Sequence, residues 1–257
     1  MDPRFQRHVD ACNNAGLPGG RLKLRLAGEE AGWVDPALAG RLSAFLMAGC
    51  VSLPEAGLLP ALARRLSDQG CFRHRGEAFD VRARPGGPVL TTIDRGALPA
   101  FGIMAEGVHL NGLVHRPDGP HLWVARRARD KALDPGKLDH LVAGGISAGM
   151  GPMDTLLKEA AEEAALPGSL ARQAVAVGTV GYAMQRHEGL RRDLLHCYDL
   201  ALPEDFVPRA ADGEVESFEL WPILRVFETV RDTNDFKFNV NLVLIELFGR
   251  LGMRGQA

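Results

Sequence analysis

The sequence predicts an α+β protein in two parts: a small α+β unit over residues 1–103, then an α/β/α sandwich with a mixed sheet over 104–257. Three observations carry that expectation. Strand-length runs of alternating or apolar residues recur from Gly107 onward. One polar, glutamate-rich helix interrupts them after Asp154, and an apolar helix over 238–251 closes the chain. A strand-rich unit with a central polar helix and a terminal apolar one is a three-layer sandwich in outline.

Element by element, Leu22-Lys23-Leu24-Arg25-Leu26 alternates like a strand, Ala27-Gly28-Glu29-Glu30 turns, and 31–34 returns as a hairpin. Asp35 then caps, and Pro36 opens, a helix running through Leu38, Leu42, Phe45 and Leu46. A second helix is expected over 54–68, stopped by Gly70. Arg84-Pro85-Gly86-Gly87-Pro88 breaks the chain, and no chemical motif lies in this half; His74 between Arg73 and Arg75 reads as a solvated basic loop. In the second half, 107–115 and 121–126 are strands about a Pro117-Asp118-Gly119-Pro120 turn. A strand at 138–146 and a loop of small residues at 147–153 lead to a helix capped by Asp154 and followed by Pro167-Gly168. Further strands are expected at 174–183, 193–200 and 215–220.

A net charge of −2 argues against a general nucleic-acid or membrane-surface binder. Cys12, Cys50, Cys71 and Cys197 have neither CxxC spacing nor the density of a disulfide framework. The amino terminus leads to no apolar signal region, and no apolar run nears the roughly 20 residues of a membrane helix. A reduced, cytoplasmic setting is expected, with a small molecule rather than nucleic acid or membrane as partner; a homodimer stays open.

The chemistry concentrates in Gly144-Gly145 and Lys158-Glu159-Ala160-Ala161-Glu162-Glu163. On a helix Glu159, Glu162 and Glu163 sit at i, i+3 and i+4, within an arc of roughly 100°. Such a run is also ordinary helix-forming material with a solvated face. Three like charges on one face nonetheless repel. An oxygen-seeking cation such as Mg²⁺ or Mn²⁺, held by carboxylates together with substrate phosphates, turns that repulsion into binding.

The pattern Gly144, five residues, Met150, seven residues, Lys158-Glu159-Ala160-x-Glu162-Glu163-x-Ala165-Leu166 resembles the Nudix box, Gly-x5-Glu-x7-Arg-Glu-U-x-Glu-Glu-x-Gly-U with U aliphatic. Met150 stands where that box has its first Glu, Lys158 replaces its Arg, and Ala165 its second Gly. Longer stretches, among them Gly107-Val108-His109-Leu110-Asn111-Gly112, Pro135-Gly136-Lys137-Leu138-Asp139, Val142-Ala143-Gly144-Gly145 and Asp212-Gly213-Glu214-Val215-Glu216, are similar to the thiamine-pyrophosphokinase-related Nudix subfamily with its small N-terminal domain. The resemblance implies hydrolysis of thiamine diphosphate, or of its oxy and oxo analogues, to a monophosphate. The related isopentenyl diphosphate isomerase needs a cysteine and a histidine where this chain has Ala143 and Gly145, which argues against isomerase chemistry.

On that reading Glu159, Glu162 and Glu163 hold the metal, Gly144, Gly145 and Lys158 shape the site, and the general base is Glu163, Glu214 or Glu216. Strand alternation would put Glu214 and Glu216 on one side, and Asp193 is a further ligand candidate. Arg126, Arg127 and Lys131 are the phosphate contacts by charge and fork geometry. His109, Asn111 and Gln185, with Tyr182 and Trp123 as ring partners, are the candidates for the organic half. A pyrophosphatase of ADP-ribose or nucleotide sugars fits the same box. Met150 and Lys158 leave open a catalytically weak Nudix fold that serves as a binding module.

Overall fold

The computed structural model describes residues 2–131, 133–211 and 213–253. A 3₁₀ turn (Pro3–Phe5) and helix α1 (Gln6–Cys12) begin the chain. They pack on the far C-terminal layer: the Phe5 ring meets Phe227 edge-on at 5.1 Å and stacks near Phe248 at 5.8 Å.

The N-terminal unit then builds a four-stranded sheet from β1 (Leu22–Leu26), β2 (Glu29–Val34), β3 (Leu46–Met47) and β4 (Cys50–Leu53), in the order β2-β1-β4-β3. Asp35 caps α2 through the Ala37 amide at 2.9 Å, and Pro36 opens it, but α2 stops at Gly40 (Pro36–Gly40). The expected continuation through Phe45 is instead a 3₁₀ turn leading into β3. Helix α3 (Leu58–Asp68) buries Leu59, Leu62, Ala63 and Leu66, an i, i+3, i+4, i+7 stripe, and starts later than the expected residue 54. A hairpin of β5 (Ala78–Val81) and β6 (Thr91–Asp94), unread in the sequence, brackets the Pro-Gly breaker. Helix α4 (Leu98–Phe101) closes the unit at Gly102, in left-handed conformation. Leu24, Leu26, Val34, Leu66, Phe79 and Phe101 belong to its own apolar core.

The second part is a seven-stranded mixed sheet. Its strands are β7 (Met104–Arg116), β8 (Gly119–Arg127), β9 (Leu138–Asp139), β10 (Val142–Gly145), β11 (Val175–Arg186), β12 (Gly189–Ala201) and β13 (Val215–Pro222). The main path is β11-β12-β7-β8-β13; β10 adds to β7, and β9 to β8. Among the described residues, β12 against β7 is the one parallel strand pair of this sheet. The single strand expected over 138–146 is thus two short ones. Helix α5 (Pro152–Ala164) covers one face, packing Leu156 and Ala160 on Val108, Leu110 and Trp123. After α6 (Gly168–Ala171), α7 (Ile223–Asp232) and α8 (Phe238–Arg250) cover the other face, with Val226, Val240 and Leu244 against Leu122 and Val124. Helix, sheet, helix is the predicted sandwich.

Two local expectations change. Helix α5 starts at Pro152 behind Gly151, with Asp154 inside its first turn rather than capping it. It ends at Ala165, which adopts a left-handed φ of 50°. All four cysteines are free. No helix among the described residues is long and apolar enough to cross a membrane.

Candidate active site

Strands β7 and β8 pair only between Leu113↔Leu122 and Arg116↔Gly119. Upstream of that stretch β7 pairs with β10, while the far end of β8 pairs with β9 and β13. The two long strands therefore diverge. Ala125 and Arg127 of β8, Asp139, His140, Ala143 of β10, Glu163 of α5, and Glu214 with Val215 line the resulting cavity.

Glu163 is 7% exposed, and its Oε2 accepts the Ala143 amide at 3.0 Å. Burial pushes its carboxyl up to about 8, and the charges of Asp139, Glu159 and Glu214 add to that against the opposing Ala143 bond. Glu159 is also raised, by burial first. It lies against Gly144, where a Cβ would stand 2.5 Å from the Glu159 Cγ. Glu162 is more exposed; Lys158 Nζ donates to its Oε2 at 2.6 Å and to Glu159 Oε1 at 3.0 Å. Those bonds, Glu162's foremost, raise the Lys158 pKa. Lys158 thus holds two of the three carboxylates together without the fork of an arginine. A carboxyl pushed toward neutrality by burial, with neighbouring anions adding to the push, fits a divalent cation: all donors are hard oxygens and the ion removes the repulsion.

The other predicted residues divide. Glu214 lines the cavity and pairs with Lys131. Glu216 does not join it, because the β13–β8 register shifts between Val215 and Ser217. That bulge breaks the alternation on which the pairing of Glu214 with Glu216 rested; Glu216 sits 3.6 Å from Arg129 at the surface. Asp212, in the turn expected beside them, lies outside the described residues. Arg127 reaches the cavity but is engaged: Nη1 contacts Asp139 Oδ2 at 2.8 Å, and Nε and Nη2 donate to the Asp134 and Leu133 carbonyls. Arg126 donates to the Gly136 carbonyl at 3.1 Å.

Asn111 is fully buried, donating to Asp199 at 2.8 Å, and is not among the cavity-lining residues. Gln185, near the exposed end of β11, accepts from Arg21 through its side-chain oxygen, and its backbone N–H donates to Asn14 Oδ1 at 2.7 Å; a residue committed to that edge does not line the cavity. Tyr182 donates to Asp193, which also binds Arg191 at 2.9 Å, so both belong to a buried polar knot. Trp123 is core. Met150 is half-buried and packs against the α5 core.

Sequence reasoning missed the roles of Asp139, His140 and Lys237. His109 Nδ1 and His140 Nδ1 lie 2.8 Å apart, so one ring donates to the other. Burial keeps both neutral, with His140 pushed down to about 4 and His109 well below its usual range. Lys237 Nζ stands 3.5 Å from Asp139 Oδ2. Burial opposes ionisation of Asp139, but Lys237 and Arg127 beside it hold its carboxyl well below the ordinary range. Ligand atoms of His109, Asp139 and His140 lie within 4.8 Å of one another. A dication there would face two buried cations, so the carboxylates of α5 are the better-suited set. The register of β10 on β7, opposing Ala143 to His109, and that of β9 on β8, opposing Asp139 to Ala125, bring these residues together, with Lys237 delivered by its amide's bond to the Leu138 carbonyl.

A mixed sheet splayed around a glycine pair, with a carboxylate helix beneath it, defines the Nudix class. The NUDIX domain family model matches residues 107–239, just over half the chain, and the chain belongs to that family. It is similar to Nudix hydrolase 20, chloroplastic, of Arabidopsis thaliana, at 44% identity over 73% of this chain and 50% of the relative. It is likewise similar to Nudix hydrolase 24, chloroplastic, of the same plant, at 43% identity over 70% of this chain and 49% of the relative. The chain thus spans about half the length of these curated relatives. The solved protein DR0079 of Deinococcus radiodurans shares the fold, with a TM-score of 0.52 and 19% identity over 66% of this chain and 98% of its own.

Proposed function

We propose that this protein hydrolyses a diphosphate linkage with a divalent cation, Mg²⁺ or Mn²⁺, and that thiamine diphosphate or an oxidised analogue is the substrate. The observation that carries the reading is Glu163: a buried carboxyl, raised to about 8, on the wall of a cavity it shares with Arg127 and Glu214. Such a group is costly to keep and is tuned for proton or metal chemistry. The substrate class rests on the resemblance to the thiamine-pyrophosphokinase-related subfamily, as does the division into an accessory unit over 1–103 and a Nudix domain over 104–257.

Glu159, Glu162 and Glu163 would hold the ion. A divalent ion there supplies charge neutralisation on the phosphoryl oxygens and a more acidic water. The Ala143 amide orients the Glu163 carboxylate. Glu214, paired with Lys131, is the second carboxylate on the cavity wall and the candidate general base there. Lys131 and Arg126 supply cations for the leaving phosphate; Arg127 holds Asp139 instead.

The test is product analysis with purified protein, Mg²⁺ or Mn²⁺, and thiamine diphosphate, oxythiamine diphosphate, ADP-ribose and a nucleotide sugar. Monophosphate from the thiamine compounds alone, lost in Glu163→Gln, supports the reading. Cleavage only of ADP-ribose or the sugar keeps the mechanism and overturns the substrate. One observation favours a second reading, a binding module: Met150 adds packing where the family box has a carboxylate. Ligand binding without turnover would favour it.

A further inference from the structure

The loop between β10 and α5 is held by the N-terminal unit through three successive hydrogen bonds. Ser147 Oγ donates to Glu77 Oε1 at 3.0 Å, the Ala148 amide to the Ala78 carbonyl at 2.7 Å, and the Gly149 amide to Asp80 Oδ1 at 3.3 Å. Between them the Phe79 ring covers Gly145: a Cβ there would stand 2.7 Å from the ring's Cζ. Phe79 is 3% exposed and belongs to the N-terminal core, so the ring cannot retreat cheaply.

Each carboxylate divides its two oxygens. Glu77 gives Oε2 to Arg95 at 2.8 Å and Oε1 to the loop. Asp80 gives Oδ2 to Arg82 at 3.0 Å and Oδ1 to the loop. The hairpin's own arginines thus orient the acceptors that face Ser147 and Gly149. On the strand just before the loop, the Ala143 amide holds Glu163 and Gly144 receives Glu159. Beyond it lies the first turn of α5. A loop free to slide would change the offset between the strand and the helix whose carboxylates it must meet.

We propose that Glu77, Phe79 and Asp80 of the N-terminal unit are positioning residues for the metal-binding helix, which makes that unit a working part of the site. The inference rests on the diphosphate-hydrolase reading for its function, but the clamp itself can be read without it. Two measurements on the full-length protein test it: Mn²⁺ titration followed by the EPR signal of the free ion, and hydrogen exchange of the amides of residues 145–150.

Glu77→Ala and Asp80→Ala each weaken Mn²⁺ binding and speed loop exchange about tenfold, the effect of one lost hydrogen bond to a charged group. Exchange in the core of β7 and β12 stays as in the wild type. Glu77→Gln restores both properties, because its oxygen still accepts from Arg95 while its amide donates to the Ser147 hydroxyl, which a general loss of stability would not allow; Asp80→Asn, left with one acceptor between Arg82 and the Gly149 amide, restores them only in part. Ser147→Ala removes the Glu77 contact from the loop side and carries the same expectation should an N-terminal variant fail to fold. Wild-type Mn²⁺ affinity and loop protection in the alanine variants, or in Ser147→Ala, would overturn the proposal. A wild-type protein that binds no Mn²⁺ would sink the hydrolase reading, and loop exchange alone would then decide the clamp.

Discussion

Glu159 occupies the space that a side chain on Gly144 would need: the Glu159 Cγ lies 2.5 Å from the position of a Gly144 Cβ. The glycine is therefore the seat of the Glu159 side chain rather than a flexible joint. Its neighbour Gly145 is required by a different partner, the Phe79 ring. Gly144→Ala should expel Glu159 from its place, weakening Mn²⁺ binding by at least about tenfold, while the overpacked strand loses about 1–3 kcal/mol of stability. Mn²⁺ titration beside urea unfolding separates the two effects; unchanged affinity would mean that Glu159 is no ligand.

The left-handed Ala165 predicts an easy gain. With φ at 50° its Cβ crowds the following carbonyl, while the next amide, Leu166, closes onto the Ala160 carbonyl at 3.0 Å. Ala165→Gly should stabilise the protein by about 1 kcal/mol, raising the thermal midpoint by a few degrees. A lower midpoint would show that the entropy of the unfolded glycine outweighs the relieved contact.

The raised carboxyl of Glu163 predicts how metal-free stability changes with pH. Its folded pKa of about 8 lies above the ordinary carboxyl value of 4.5. Between those values the folded state holds a proton that the unfolded state has released. Its contribution is fully present below the unfolded value and is lost as pH rises toward 8, at up to about 1.4 kcal/mol per unit. Urea unfolding in EDTA should show the wild type losing stability relative to Glu163→Gln across that window. Mn²⁺ affinity should rise over the same range, because binding expels the proton. Parallel pH curves for the two proteins would sink the assignment.

What the sequence made legible was what is local. Three glutamates at helical spacing, and a glycine pair a fixed distance upstream, can be read without knowing the fold. The strands of the sheet could be read for the same reason: their apolar runs are long. Other features needed the third dimension. Glu216 left the site because β13 bulges after Val215, and the contacts of Asp139, His140 and His109 exist only through the registers of β10 on β7 and β9 on β8. Lys237 arrives from the start of α8, nearly a hundred residues further on. In the N-terminal unit the apolar pattern of 36–46 suited a helix, yet α2 stopped after its capped first turns at Gly40. The β5–β6 hairpin went unread, and with it the clamp on the box loop.

Arg127 poses the sharpest choice between a sequence expectation and a structural role. As a phosphate contact it would raise KM on removal and leave stability alone. In the fold it is half of a buried pair, with a side chain 13% exposed against 6% for Asp139, and its other nitrogens are spent on two carbonyls. Arg127→Met therefore leaves Asp139 with Lys237 at 3.5 Å as its remaining cation. Breaking a buried pair costs about 3–5 kcal/mol, and the Lys237 contact should hold the loss to the lower end of that range. Arg127→Lys keeps the charge but loses the fork that reaches Asp139 and both carbonyls at once, so it should recover only part of the stability. Urea unfolding of both variants beside their KM decides the matter. A large fall in stability with little change in KM for the surviving folded protein assigns Arg127 to the scaffold. The reverse pattern would return it to the phosphate.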